Sequence, residues 1–530
     1  MKKHLALIIF LSLLALWPFF KKGYFESHDG EWMVIRFSAF HQTLAAGQFP
    51  VRFVDRLNNN YGYPVLNSLY PLPFYLAEVP KVLGFGFVDS IKIIFIISTV
   101  FSVVAMFWAL SQFFSRYASL TGAITYLFIP YRFVDLYVRG SLGENVAFAV
   151  APLVLGSIFK VANNQRIFLP ILAISTALLI VSHNVIATLL LPLFLIISIL
   201  LIKIERLKIT VAFLSGFLIS TFFWLPALYD LQFVKLSQIE ISNIADHVTS
   251  VGKLIVPRWG YGPTPEGIGG FSPQIGVAAM AIFFATCFLA LKSKRKDKII
   301  VSLIIIFVTV FLSMTKYSLP LWQNVPLIDV IQFPWRLLSI IVVISALFAA
   351  FVVDAIKNKI LISSLIIIAS FISTMVYTKP SNFIEREEGY YTTNEDTTTV
   401  KGEYLPVWVR EKPQARANQK IEVGQDATIV SSKINATNYQ AVIKAPDQTT
   451  VRVNTIFFPG WKAFVDGNDV DITYQDNDYG LMSFKLPKGE HKVIIKYGKT
   501  PVHLASEIIS LVALIATGYY FVILWRKQNS

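Results

Sequence analysis

Apolar runs roughly twenty residues long recur along this chain, and its Lys/Arg clusters fall in alternate gaps between them. About twenty mostly apolar residues is what a helix needs to cross a bilayer core. Lys and Arg concentrate in short cytoplasmic loops. Together these regularities decide which loops share a face of the membrane, and so which side chains can meet. The pattern predicts helices near 4–20, 92–114, 118–132, 145–160, 167–182, 185–202, 209–229, 275–291, 299–314, 337–354, 360–377 and 503–525. With Lys2 and Lys3 inside, the even gaps hold Arg116; Lys160 and Arg166; Lys203, Arg206 and Lys208; Lys292 to Lys298; Lys357 and Lys359; and Arg526 and Lys527. Every short basic loop then lies on the cytoplasmic side, as do both termini.

Composition agrees. The chain is 55% hydrophobic and 15% charged, against about 25% charged in soluble domains. The expected class is a polytopic α-helical membrane protein of about twelve spans. The net charge of +14 sits between spans, with no zinc-type or Gly-rich nucleic-acid motif beside it. The partner it implies is the bilayer, not nucleic acid. Cys287 is the single cysteine and lies in an apolar run, which excludes an internal disulfide. The first twenty residues lack a small-residue cleavage site and read as an uncleaved first span.

The outer side holds everything long. Residues 21–91 and 231–273 are long outer loops within a helical domain expected over 1–378. The second half of the first loop carries Pro64, Pro71, Pro73 and Pro80 and reads as broken interfacial helices. A thirteenth span there would invert every later loop. Residues 379–500 alternate in strand fashion (TVRVNTIFF, HKVIIKYG), with turns at DGND 466–469 and PKGE 487–490. This segment is expected to be an extracytoplasmic antiparallel β-sandwich. Residues 501–530 complete the chain as a last span and cytoplasmic tail.

Ionisable groups beside spans are costly and tend to be functional. His28, Asp29, Glu31 and Arg36 follow the first span in HDGEWMVIRF. A carboxylate at Asp29 or Glu31 suits proton abstraction from a hydroxyl, while Asp29 equally suits a helix N-cap. Arg139 and Glu144 flank a Gly-Ser-Leu-Gly break. Arg139 could instead snorkel to headgroups, and Glu144 could sit in a helix first turn. His183 occupies a short turn between two spans. Arg258 and Arg336 sit beside tryptophans at outer helix ends. There a guanidinium fork suits phosphate oxygens, or serves as an interfacial anchor. No P-loop, HExxH or GxSxG motif is present. The sequon Asn435-Ala436-Thr437 is a short match only.

Four segments resemble bacterial YfhO-type membrane proteins and the related group named for a membrane "6-pyruvoyl-tetrahydropterin synthase-related" domain. They are HDGEWMVIRF with AAGQFPVRF and GYPVLNSLYPLPFYL; RGSLGENVAFAVAPL; QFPWRLL; and FFPGWKAFVDG with LPKGEHKVIIKY. Those proteins are similar to the GT-C superfamily of membrane glycosyltransferases. The resemblance implies a GT-C-like fold, a polyprenyl-phosphate sugar donor and a cell-envelope glycan or glycopolymer acceptor. It also implies an acidic residue in the first outer loop, which maps to Asp29 with Glu31 as neighbour. Many relatives show an adjacent acidic pair where this chain has HDGE, so the choice between Asp29 and Glu31 stays open. The pterin name implies a zinc-binding histidine cluster, which seven scattered histidines do not offer. The resemblance assigns catalysis to Asp29 or Glu31. His28, Arg139, Glu144, His183, Arg258 and Arg336 are candidate substrate ligands. No metal ligand or cofactor is assigned, and a divalent-metal requirement is left open. The alternatives are a lipid or polysaccharide flippase, which the clean apolar spans disfavour, and a non-catalytic envelope assembly factor acting through 379–500.

Overall fold

The computed structural model describes residues 2–529 except 203–204, 240–241, 257–258, 272, 293–296 and 325–330. Helix occupies each interval where the sequence predicts it, and the departures have local causes. The first ends at Ala15 and continues as a 3-10 turn, Trp17–Phe20, at Pro18. The helix Arg116–Leu127 stops short because Ile129, preceding Pro130, is extended (φ −97°, ψ 129°). The interval 209–229 divides into Arg206–Ile219 and Thr221–Phe233, bent by 63°. Ser220 back-bonds to the Gly216 and Phe217 carbonyls there. Pro226 removes one backbone donor beyond the bend, and the freed Phe222 carbonyl accepts from Arg52 Nη2 at 2.9 Å.

Five helices are long and apolar enough to cross a bilayer: Phe87–Leu110, Leu142–Ala162, Asn184–Leu201, Pro334–Ala355 and Pro501–Asn529. The bent pair makes a sixth, and four shorter apolar helices lie at Phe168–Ser182, Val277–Lys292, Lys298–Ser313 and Lys359–Met375. This is a helical membrane protein. Leu142–Ala162 and Pro334–Ala355 are the bundle's centre, with 83% and 89% of their apolar windows buried, whereas Pro501–Asn529 lies at the edge with 11%.

In the first long loop the chain forms Gly30–Ala45, Val65–Ser68 and Leu72–Val82. The eleven residues of Leu72–Val82 rise only about 16 Å, too short for a crossing of ~30 Å.

The strand-rich segment starts later than the sequence predicts. Residues 385–420 are mainly an irregular strap with one short helix, Glu388–Thr393. β1 (Tyr24–Phe25) pairs antiparallel with β2 (Phe383–Ile384) and ties the strap to the first loop. Two antiparallel sheets follow. β3 (Ile421–Val423), β6 (Thr449–Ile456) and β9 (Leu481–Leu486) form one in the order 3-6-9. The other, in the order 4-5-10-7-8, contains β4 (Thr428–Asn435), β5 (Asn438–Ala445), β7 (Trp461–Val465), β8 (Asn468–Val470) and β10 (Gly489–Tyr497). Asp466 and Gly467, with φ +51° and +88°, make the β7–β8 turn that DGND predicts. Tyr439, Val451, Val453, Met482, Val493 and Ile495 bury their side chains in one apolar cluster drawn from both sheets.

Phe53 of the first loop enters that cluster. It is fully buried, 5.4 Å from the Trp461 ring and 5.2 Å from that of Tyr497. Asp55 beside it accepts from Lys420 and Tyr439, each at 2.5 Å. Truncating a buried phenylalanine costs about 3–5 kcal/mol. Phe53→Ala should therefore lower the thermal midpoint and expose the strap to limited proteolysis; an unchanged melting curve and cleavage pattern would refute this docking.

Candidate functional site

The two central helices begin at one place, and their first turns carry charge. Glu144 lies in the first turn of Leu142–Ala162, where the helix dipole favours an anion. Arg336 lies in the 3-10 turn Pro334–Leu337 that opens the other. A π-turn, Val134–Arg139, delivers Arg139 to the same spot and ends at Gly140 in the left-handed region (φ +63°).

Glu144 is the hub. It is fully buried, and its Oε1 pairs with Arg139 Nη1 and lies 3.4 Å from Arg336 Nε and 3.9 Å from His183 Nε2. Its Oε2 accepts from the Tyr131 hydroxyl at 3.0 Å. Arg139 also donates to Asp135 at 2.8 Å and lies over the Trp335 ring at 4.7 Å. Arg336 donates to the Ile331 carbonyl at 3.0 Å and Gln332 Oε1 at 2.8 Å, while its buried Nε has no hydrogen-bond partner among the described residues. His183 caps the helix Asn184–Leu201, its Nδ1 accepting from Ile186 N at 3.3 Å. In the neutral ring that places the proton on Nε2, toward Glu144. The Tyr70 ring covers His183 at 4.6 Å.

The first loop joins this cluster through its backbone. His28 N donates to Val138 O at 2.9 Å and Asp29 N to Arg139 O at 2.8 Å. Such an approach needs glycine: a Cβ on Gly140 would stand 2.5 Å from Ser27 Oγ and 2.8 Å from Gly30 N. Asp29 then lies within electrostatic reach of Arg139, Arg336 and His28. It occupies the N-cap position of Gly30–Ala45, as the capping alternative has it, yet its side chain makes no capping bond. Its carboxylate forms no hydrogen bond or ion pair among the described residues.

Glu31 differs: its Oε1 accepts from Arg386 Nε at 2.5 Å at the exposed rim. His28 Nε2 meets the Tyr261 carbonyl at 3.0 Å, and its ring is edge-on to Phe271 at 5.7 Å. Burial pulls its pKa below the usual histidine value, against the raising effect of that carbonyl. Arg36 is used elsewhere, binding the Thr398 hydroxyl at 2.9 Å and its carbonyl. Arg258 lies outside the described residues.

Of the residues singled out from sequence, the structure thus gathers His28, Asp29, Arg139, Glu144, His183 and Arg336, and leaves Glu31 at the rim. Sequence reasoning missed Asp135, Tyr131, Tyr70 and Trp335. Asp135 carried a readable signal, standing four residues before Arg139. Among the described residues no group of three His, Cys, Asp or Glu side chains is arranged to hold a metal ion.

No protein-family model matches the chain, and no curated protein matches it. Among solved structures it is similar to the arabinofuranosyltransferase AftD from Mycobacteria at 14% identity and a TM-score of 0.47, over 74% of this chain and 28% of that one. It is also similar to ArnT from Cupriavidus metallidurans in the apo state at 16% identity and a TM-score of 0.43, over 73% and 67% of the two chains. A third is the Archaeoglobus fulgidus oligosaccharyltransferase in the apo form, at 13% identity and a TM-score of 0.39, over 74% and 56%. The chain spans less than a third of the length of AftD.

Removing one partner from a buried ion cluster costs about 3–5 kcal/mol, whereas Asp29 makes no hydrogen bond or ion pair among the described residues for its isostere to lose. Thermal unfolding in detergent should therefore show a strongly lowered midpoint for Glu144→Gln and little change for Asp29→Asn. The reverse order would contradict the hub assignment.

Proposed function

We propose that this chain is a membrane glycosyltransferase of the GT-C type. It moves a sugar from a polyprenyl-phosphate donor to a cell-envelope glycan, with inversion at the anomeric carbon. In this reading about twelve helices cross the bilayer. Both termini are cytoplasmic, and the strap and sheets (379–500) lie outside with the site. The YfhO-type and "synthase-related" resemblance supports it. The observation that carries it is an unbonded carboxylate, Asp29, beside two guanidinium groups held by one buried carboxylate, Glu144.

The chemistry follows from those roles. Asp29 accepts the proton of the acceptor hydroxyl. The hydroxyl oxygen bonds to the anomeric carbon from the side opposite the phosphate. The bond from that carbon to the phosphate oxygen breaks, and the electron pair leaves with the lipid phosphate. Positive charge develops on the sugar ring as it does in glycoside chemistry. Arg139 and Arg336 stabilise the departing phosphate, and Glu144 and Asp135 hold those guanidiniums in place. His28 and His183 border the sugar, and the exposed Glu31–Arg386 pair closes the rim. Asp29 rather than Glu31 is the base, because Glu31 already accepts from Arg386.

The test is transfer from polyprenyl-phosphate hexoses by purified protein in nanodiscs, with EDTA included to report any metal requirement. Asp29→Asn should lower the rate about 10²–10⁴-fold, and Glu31→Gln should retain most of it. Undiminished transfer by Asp29→Asn overturns the mechanism.

A further inference from the structure

A second polar recess lies away from this cluster. It is a cleft of about 360 Å³ where the end of helix Gly30–Ala45, the first loop, the strap and the β4–β5 turn meet. Gln42, Thr43, Asn60, Thr393, Glu395 and Arg416 supply amide, hydroxyl, carboxylate and guanidinium groups to its wall. Two acids and two bases line it, Asp55 and Glu395 with Arg56 and Arg416, so its formal charge is balanced. Arg416 pairs with Glu395 at 2.8 Å. Arg56 is held by Ser38 Oγ at 2.7 Å, Gln42 Oε1 at 3.0 Å and the Thr392 carbonyl.

Asn60 of the wall ends a run of three left-handed residues, Asn58 to Asn60, with φ of +62°, +55° and +64°, a conformation that asparagine adopts more readily than other residues with a side chain.

We infer that this cleft is the acceptor subsite, holding internal units of a neutral oligosaccharide whose end reaches Asp29. This rests on the sugar-transfer reading above. Mixed donors and acceptors at balanced charge match vicinal hydroxyls, whereas a phosphate polymer calls for surplus cations. Helix Gly30–Ala45 measures the separation. Asp29 precedes its first residue and Gln42 stands in its last turn, so about 20 Å lies between them at ~1.5 Å per residue. Only an acceptor several sugars long spans that. The strap runs beside the helix over the same interval, from Arg386 at Glu31 to Thr392 at Gln42. Near its Glu31 end it presents Tyr390, with Arg386 over its ring at 4.2 Å.

The test is saturation-transfer NMR on the full chain in nanodiscs without donor. The probes are a neutral gluco-disaccharide, a gluco-hexasaccharide and a glycerol-phosphate oligomer. The hexasaccharide should bind at least about tenfold more tightly than the disaccharide. Thr393→Trp and Arg416→Ala should each weaken it about tenfold or more, and Lys462→Ala, at an exposed position on β7, should leave it unchanged. No response from the hexasaccharide, equal binding by the cleft variants, or preference for the glycerol-phosphate oligomer overturns the inference. Because no donor is present, failure here leaves the transfer assignment standing, and a failed transfer assay leaves this binding result standing.

Discussion

One buried carboxylate organises the rest. Two guanidinium groups at the mouth of a helical bundle repel each other and resist leaving water; Glu144 lets both stay. At an effective dielectric near 20, opposite charges about 4 Å apart attract by roughly 4 kcal/mol, and a hydrogen bond to a charged group adds about 1.5–3 kcal/mol. Asp135 supplies the second anion, on Arg139. The aromatic faces of Trp335 and Phe333, 4.7 Å from Arg139 and 4.8 Å from Arg336, cover the cations from the apolar side. The helix ends Leu142 and Pro334 are thereby drawn together, and their meeting point becomes a buried polar place in the bundle.

Everything else brings flexible chain to that point. Gly30 and Gly140 remove the side chains that would hold the first loop away, and two backbone hydrogen bonds fix His28 and Asp29 against Val138 and Arg139. The second loop reaches in with Tyr261 and Phe271. The strap is bound by Arg36 and by the β1–β2 pairing, and the sheets are anchored by Phe53 and Asp55. Charge inside, backbone contact at the edge and apolar docking beyond are three kinds of interaction. They leave Asp29 as a carboxylate with no bonded partner among the described residues, within electrostatic reach of two cations.

Much of this was legible in the sequence for a physical reason. Lipid demands long apolar runs, so helix positions could be read directly, and the positive-inside bias supplies an expected sidedness. Sidedness is why His28, Arg139, Glu144, His183 and Arg336 could be grouped before any geometry was known. The sequence could not show that Arg36 turns to Thr398 or that Glu31 is engaged by Arg386, more than three hundred residues away. Such pairings depend on tertiary contact, which leaves no local period. Only packing shows Tyr131 bonding Glu144 and Trp335 covering Arg139. The irregular strap inside the segment expected as a β-sandwich has no such local signal, because its hydrogen bonds go to the first loop. The short helices after Pro64 and Pro71 were legible, since proline acts locally.

The central claim is that the first loop and the start of the Pro334–Ala355 helix share one pocket on one face of the membrane. Sealed vesicles of single-cysteine versions in a Cys287→Ser background test it most directly. In one the cysteine is placed by Asp29→Cys, in the other by Gln332→Cys. A membrane-impermeant thiol reagent applied to one side should modify both positions, and undecaprenyl phosphate should slow both reactions. Modification of the two positions from opposite sides would contradict the claim.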